Sequence, residues 1–269
     1  MNFYKKLEHA LSITDINTKE LIVNENLDFL KNNTPKSTEK IQIFTRPSYS
    51  ALCKIVAPKE LPKRRDLNSK EGLIALLHSI AHIEYSAIDL ALDAVYRFQD
   101  MPNEYKKDWL EIASDEIRHF KMIEKLLKEL GSFYGDLPVH KSLFEMAYKT
   151  NKSALERMAI IPRYFEASGL DVNPKIINKL KSTKKTEIIS QIIDALDIIY
   201  IEEIDHVQKG DKWFKYLCQK KQLEPISTYK KIIESFHLKS RANMYNVEAR
   251  KQAGFSCDEL LSLGVKKCT

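Results

Sequence analysis

The stretch Trp109-Leu-Glu-Ile-Ala-Ser-Asp-Glu-Ile-Arg-His-Phe-Lys-Met-Ile123, running on to Leu127, decides the fold. Steps of three and four residues pick out Trp109, Ile112, Glu116, His119, Ile123 and Leu127, one face of an α-helix. That face is apolar except at its centre, where a glutamate and a histidine stand one turn apart.

Three other segments show the same interruption. Leu77, Ala81, Glu84, Ile88, Ala91 and Val95 form one stripe. Leu155, Met158, Pro162 and Glu166 form a second. Ile189, Ile192, Leu196, Tyr200, Glu203, His206 and Gly210 form a third. Each stripe carries one glutamate, and two add a histidine three residues later. Burying unpaired carboxylates costs several kcal/mol per ion. A pair of divalent metals compensates them, and Glu with His suits iron or manganese. Two Glu helices with two Glu-x-x-His helices are the ligand set of carboxylate-bridged dimetal bundles. About 0.4 Glu-x-x-His matches are expected by chance in a chain of this size. The third match here, Glu234 to His237, flanks the apolar stripe of its segment and reads as a solvated face.

Working outward, the four helices are expected at Ser69–Phe98, Asn103–Leu130, Ser153–Ser168 and Thr186–Phe214. The breaks are Met101-Pro102, Gly131 through Pro138, and Gly169 to Lys185 with Pro174. The long second break suits a crossover connection and has room for a short helix at Lys141–Tyr148. Residues 1–70 read as an N-terminal arm with short helices at Asn2–Leu11 and Thr18–Leu30. Residues 71–214 read as the bundle. Residues 215–269 read as a basic helical extension packed on it, with a helix at Ile226–Arg250. The expected fold is all-α, a four-helix bundle flanked by two extensions.

Bulk features agree. Only 7 of 269 residues are Gly, which favours helices over a strand-and-turn fold. At 43% hydrophobic and 30% charged the chain can bury a core. The run Gly72–Leu77 is far shorter than a membrane span, so no membrane association is expected. The first residues show no apolar signal core, which points to the cytoplasm. Cys53, Cys218, Cys257 and Cys268 lie apart without a CxxC pair, and suggest neither a disulfide framework nor a zinc ribbon.

A metal-bound histidine donates its other ring N–H to a carboxylate, a backbone carbonyl or water, and the carboxylates Asp89, Asp115 and Glu202 are candidates for that role. His78, His82, Tyr85 and Asp89 make a second polar stripe on the first bundle helix, suited to a substrate or proton path or to an interhelical network.

Several segments together carry a resemblance. They are His78-Ser-Ile-Ala-His-Ile-Glu84, Asp115-Glu-Ile-Arg-His-Phe120, Gly135-Asp-Leu-Pro-Val-His140, Glu166-Ala-Ser-Gly-Leu-Asp171 and Glu203-Ile-Asp-His-Val207. Arg46-Pro47, Pro62-Lys63-Arg64 and Asn246-Val-Glu-Ala-Arg-Lys-Gln-Ala-Gly-Phe255 extend it. The chain resembles a bacterial ferritin-like family long classed as a domain of unknown function, from about residue 40 to 265. The resemblance implies a ferritin-like bundle with two iron ions on Glu84, Glu116, His119, Glu166, Glu203 and His206. It further implies a role in queuosine tRNA modification, as an epoxyqueuosine reductase. More remotely, the chain is similar to the tRNA hydroxylase acting on 2-methylthio-N6-isopentenyladenosine.

Charge placement bears on a tRNA partner. Residues 212–251 hold ten Lys+Arg and three Asp+Glu, a local 10 − 3 = +7 against +6 for the whole chain. Trp213, Phe214, Tyr216, Tyr229, Phe236 and Tyr245 interleave with that charge, a pattern suited to phosphate contact and base stacking. Lys63, Arg64, Asn246 and Arg250 are candidates to contact RNA or shape the entrance. No DNA partner is expected. His82 and Tyr85 are candidate proton donors. No flavin or nicotinamide fingerprint is present, so an external electron donor is implied. The same ligands also suit an oxygen-dependent tRNA hydroxylase, a small-molecule di-iron oxidase or an iron-handling protein.

Overall fold

The computed structural model describes residues 2–37, 40–62, 66–239 and 244–268. The chain is all-α. Among the described residues the only β pairing is an isolated bridge between Ile55 and Val139. The helices are α1 (Phe3–Ser12), α2 (Ile16–Asn32), α3 (Lys70–Arg97), α4 (Asn103–Glu129), α5 (Ser142–Lys149), α6 (Ala154–Ile160), α7 (Ala167–Lys181), α8 (Glu187–Lys220), α9 (Pro225–Ser235), α10 (Val247–Gln252) and α11 (Cys257–Ser262). A π-turn, Ile161–Glu166, joins α6 to α7. The chain divides into two compact units, Met1–Glu145 with Thr183–Ala195, and Met146–Ser182 with Leu196–Thr269.

In the first unit, α3 begins where the Ser69 side chain accepts from the Gly72 amide, with Glu71 in the first turn and Arg97 in the last. The short connection to α4 makes the two an antiparallel hairpin. All six residues of the α3 stripe and all six of the α4 stripe are buried. α1 and α2, from the N-terminal arm, pack on this hairpin within one unit. The second polar stripe of α3 is buried as well: Lys19 of α2 and Ser48 meet Asp89, Thr14 meets Tyr85, and the loop carrying Tyr134 and His140 meets His78 and His82. α3 is long and apolar enough to cross a membrane, but 83% of its most apolar window is buried, as in the core helix of a soluble protein.

The second unit departs further from expectation. Helical structure continues past Ser168 to Lys181, through Gly169 and Pro174. Proline removes the amide that would bond the Leu170 carbonyl. The Asn246 side chain donates to that carbonyl instead, at 3.3 Å. The expected helix Ile226–Arg250 is instead two, α9 and α10, with His237 at φ +54 after the first.

The core of this unit gathers Ala167, Leu170, Val207, Ala249, Ala253, Phe255 and Leu260. The C-terminal extension therefore belongs to the same unit as the π-turn. Cys257 and Cys268 form a disulfide across 11 residues, which corrects the expectation of no disulfide framework. The turn after α11, with Gly264 at φ +101, brings together two residues that spacing alone does not pair.

Candidate metal centre

In the first unit, α3 and α4 bring three ligand-type side chains together. His119 Nδ1 lies 3.3 Å from Glu84 Oε2 and 3.5 Å from Glu116 Oε2. Glu84, Glu116 and His119 are 3%, 1% and 0% exposed. Their ligand atoms all lie within 4.8 Å of one another, close enough to share one ion. The Glu84 contact with His119 has ion-pair distance without hydrogen-bond geometry.

Burial, and then the Glu116 charge, push the Glu84 carboxyl up to about 8. Burial opposes a charged His119, but its contacts with the Glu116 and Glu84 carboxylates outweigh it and hold the imidazole well above its usual range. Without a cation, this cluster must be neutralised by protons. A divalent ion is the chemical fit for two buried carboxylates and an imidazole.

In the second unit, Glu203 and His206 occupy one face of α8, with Glu203 Oε2 4.0 Å from His206 Nδ1. His206 is fully buried and Glu203 half-buried. Glu166 closes the π-turn. It is half-buried, yet its Oε2 atom is shielded from solvent. Spacing puts Glu166 on the same stripe as Met158 and Pro162. The π-turn moves the fully buried position on by one residue, to Ala167. Two features make that turn. Pro162 supplies no amide, and Gly210 of α8 admits its ring, since a Cβ at Gly210 would lie 2.2 Å from the Pro162 Cβ.

A family model described as a protein of unknown function, DUF455, matches residues 4–261. The chain belongs to the DUF455 family. An uncharacterized protein of Haemophilus influenzae (strain ATCC 51907 / DSM 11121 / KW20 / Rd) is 35% identical over 273 residues, covering 96% of this chain and 92% of the relative. No solved structure matches. The DUF455 match takes in both units and every ligand-type residue described above.

The remaining site residues of this DUF455 protein have other employment. Asp89 does not support a metal-bound histidine: its carboxylate is 2.7 Å from the Lys19 ammonium and accepts from Ser48 Oγ at 2.6 Å. Asp115 pairs with Arg118 at 2.9 Å near the surface. Glu202 is half-buried on α8.

His82 is a poor proton donor. One ring nitrogen, Nε2, is 2.6 Å from the His140 carbonyl, so it carries the proton, and Nδ1 accepts from Tyr134 at 3.0 Å. Burial lowers this imidazole to about 4, so it is neutral. The Tyr85 hydroxyl donates to the Thr14 carbonyl at 3.1 Å, and burial pushes its pKa far up.

Lys63 and Arg64 lie outside the described residues. Arg250 is a candidate to contact RNA or shape the entrance. It is 2% exposed, pairs with Asp171 at 2.6 Å and stacks on Tyr245 at 3.8 Å. Asn246 caps α10 and donates to Tyr200 at 2.9 Å. Trp213, Phe214 and Tyr229 are buried and cannot serve as open stacking platforms. Glu234 and His237 are exposed, as expected of a solvated face.

Sequence reasoning missed Lys19 and Arg163, both fully buried cations. Arg163 had a legible signal: it is a charge inside the apolar run that surrounds Pro162.

Proposed function

We propose that this protein is a non-haem di-iron oxidoreductase of tRNA modification, and that it reduces epoxyqueuosine to queuosine. Glu84, Glu116, His119, Glu166, Glu203 and His206 would be the ligands of two iron ions, with manganese an alternative on the same donors. The observation that carries the metal reading is the buried Glu84–Glu116–His119 cluster. The tRNA assignment is supported by the family resemblance of the motifs around these residues.

When bound, the metals supply Lewis acidity toward the epoxide oxygen and a path for two electrons, which with two protons turn the epoxide into an alkene and water. An external donor provides the electrons. The protein's own part is positioning and exclusion. α3 and α4 hold their carboxylates in a buried setting between apolar stripes, where charge stabilisation is strongest. His82 and Tyr85 keep their protons on backbone carbonyls, so they are not the proton source. Lys220, Lys221, Lys230, Lys231 and Lys239 remain exposed on α8, α9 and the segment after it, and they supply the charge for phosphate contact. The proposed location is the cytoplasm.

Nucleoside analysis of tRNA from a deletion strain tests the reading. Accumulated epoxyqueuosine with loss of queuosine supports it. Unchanged queuosine, in an organism without another epoxyqueuosine reductase, ends it. Turnover with reduced iron under strict anaerobiosis separates reduction from oxygen-dependent hydroxylation of the tRNA, which would stop without oxygen.

A further inference from the structure

The second unit buries a cation that the proposed chemistry does not use. Arg163 is 0% exposed and sits in the π-turn, three residues before Glu166. Its two terminal nitrogens reach separate carboxylates, Asp211 of α8 and Glu259 of α11. Three rings close around its guanidinium: Phe214 at 4.4 Å, Tyr229 at 4.5 Å and Phe255 at 4.7 Å. The backbone of the same residue is also held, because its carbonyl accepts from the Tyr229 hydroxyl at 3.0 Å. Segments distant in sequence thus converge on one residue of an irregular turn.

Stability alone does not account for this arrangement. A buried ion triad is commonly no more stable than apolar side chains of the same volume, and its best-attested use is to fix a geometry. The geometry at stake here is the register of the helix. A return from π to regular α spacing turns one flank about 100° against the other. Glu166 is the last residue of the π-turn, so its direction depends on that register.

We infer that Arg163 is a positioning residue for Glu166, held by Asp211 and by Glu259 of the C-terminal segment. The C-terminal extension is then part of the metal site's scaffold, although it offers no ligand. The inference rests on Glu166 being a ligand, as in the function proposed above.

The test is metal titration of the full-length protein with ferrous iron under anaerobiosis, with bound metal measured directly. Glu259→Asp keeps the charge and shortens the reach, and Asp211→Asn loosens the other arm. Each is expected to retain one ion and bind the second at least tenfold more weakly. Cobalt-substituted protein should show a changed d–d spectrum for one ion only. Glu166→Gln should reproduce the loss. Leu11→Ala, a core truncation in the first unit, should leave metal binding unchanged despite its lower melting temperature. Hydrogen exchange at residues 163–168 should quicken in Glu259→Asp even without metal.

Wild-type affinity for both ions in a folded Glu259→Asp overturns the inference. So does an equal loss in Leu11→Ala, which marks general destabilisation. If the wild type binds fewer than two ions, or Glu166→Gln keeps both, the ligand assignment itself fails and takes the inference with it.

Discussion

The two units hold ligand-type residues by different means. In the first, α3 and α4 are regular helices, and Glu84, Glu116 and His119 meet because helix periodicity puts them on facing stripes. In the second, Glu166 depends on a π-turn that Pro162, Gly210 and the caged Arg163 together impose. Regular periodicity places a side chain through local rules alone. An irregular turn needs partners from elsewhere in the chain to hold it in place. The comparison predicts different responses to mutation.

The largest effect is expected at Arg163. Arg163→Met strands Glu259 in the interior and leaves Asp211 with Lys215 alone, at 2.8 Å, and should cost about 3–5 kcal/mol in urea unfolding of the metal-free protein. Glu84→Gln replaces a carboxyl that is already mostly protonated near neutral pH in the metal-free protein. It should leave the stability of the metal-free protein within about 1 kcal/mol of the wild type while weakening metal uptake. A loss as large as that of Arg163→Met would break the comparison.

Metal loading should come next. Saturation at about 100 times Kd adds about 2.7 kcal/mol per ion, so chelation should lower the melting temperature by several degrees. An unmoved melting temperature after loading would sink the metal reading.

A pH effect of up to about 2 kcal/mol is expected from His78. Its Nε2 accepts from the Gly135 and Leu137 amides, at 3.0 and 3.3 Å, so the ring must be neutral. Burial lowers its pKa to about 4 from the ordinary 6.5. Between those values the unfolded chain binds the extra proton and the folded chain does not. Stability is therefore intact above about pH 6.5 and falls as the pH drops toward 4. In His78→Gln the slope over that window should flatten, read by denaturant melts at several pH values.

The smallest loss is expected at Gly254→Ala, about 1–2 kcal/mol. Gly254 has φ +97, and a Cβ there would lie 2.5 Å from Asp211 Oδ2. Thermal melts should show the loss. If the Arg163 clamp matters as inferred, second-ion affinity should fall in the same variant.

Much of the fold was legible because its long helices follow simple rules. Ser69 caps α3, Pro102 precedes α4, and apolar residues repeat at helical steps. Pro174 misled the reading, since a proline ends a helix only when nothing else satisfies the carbonyl it frees. Asn246, 72 positions further along, satisfies it here. Arg250 and the aromatic residues of the C-terminal segment looked like a surface for RNA for a related reason. Composition counts a charge or a ring, but not the Asp171 or Arg163 that it meets inside.

By itself, the sequence determined which side chains lie on a common helix face, because a helix is a local structure with a fixed period. That period put Glu84 on one buried stripe, and Glu116 with His119 on another. Only the tertiary structure decided that the π-turn shifts the face of Glu166 and that Arg163 is caged beside it. It also decided that Lys19 neutralises Asp89. Those outcomes depend on burial and on partners 48 to 96 positions away, and no local rule carries such information.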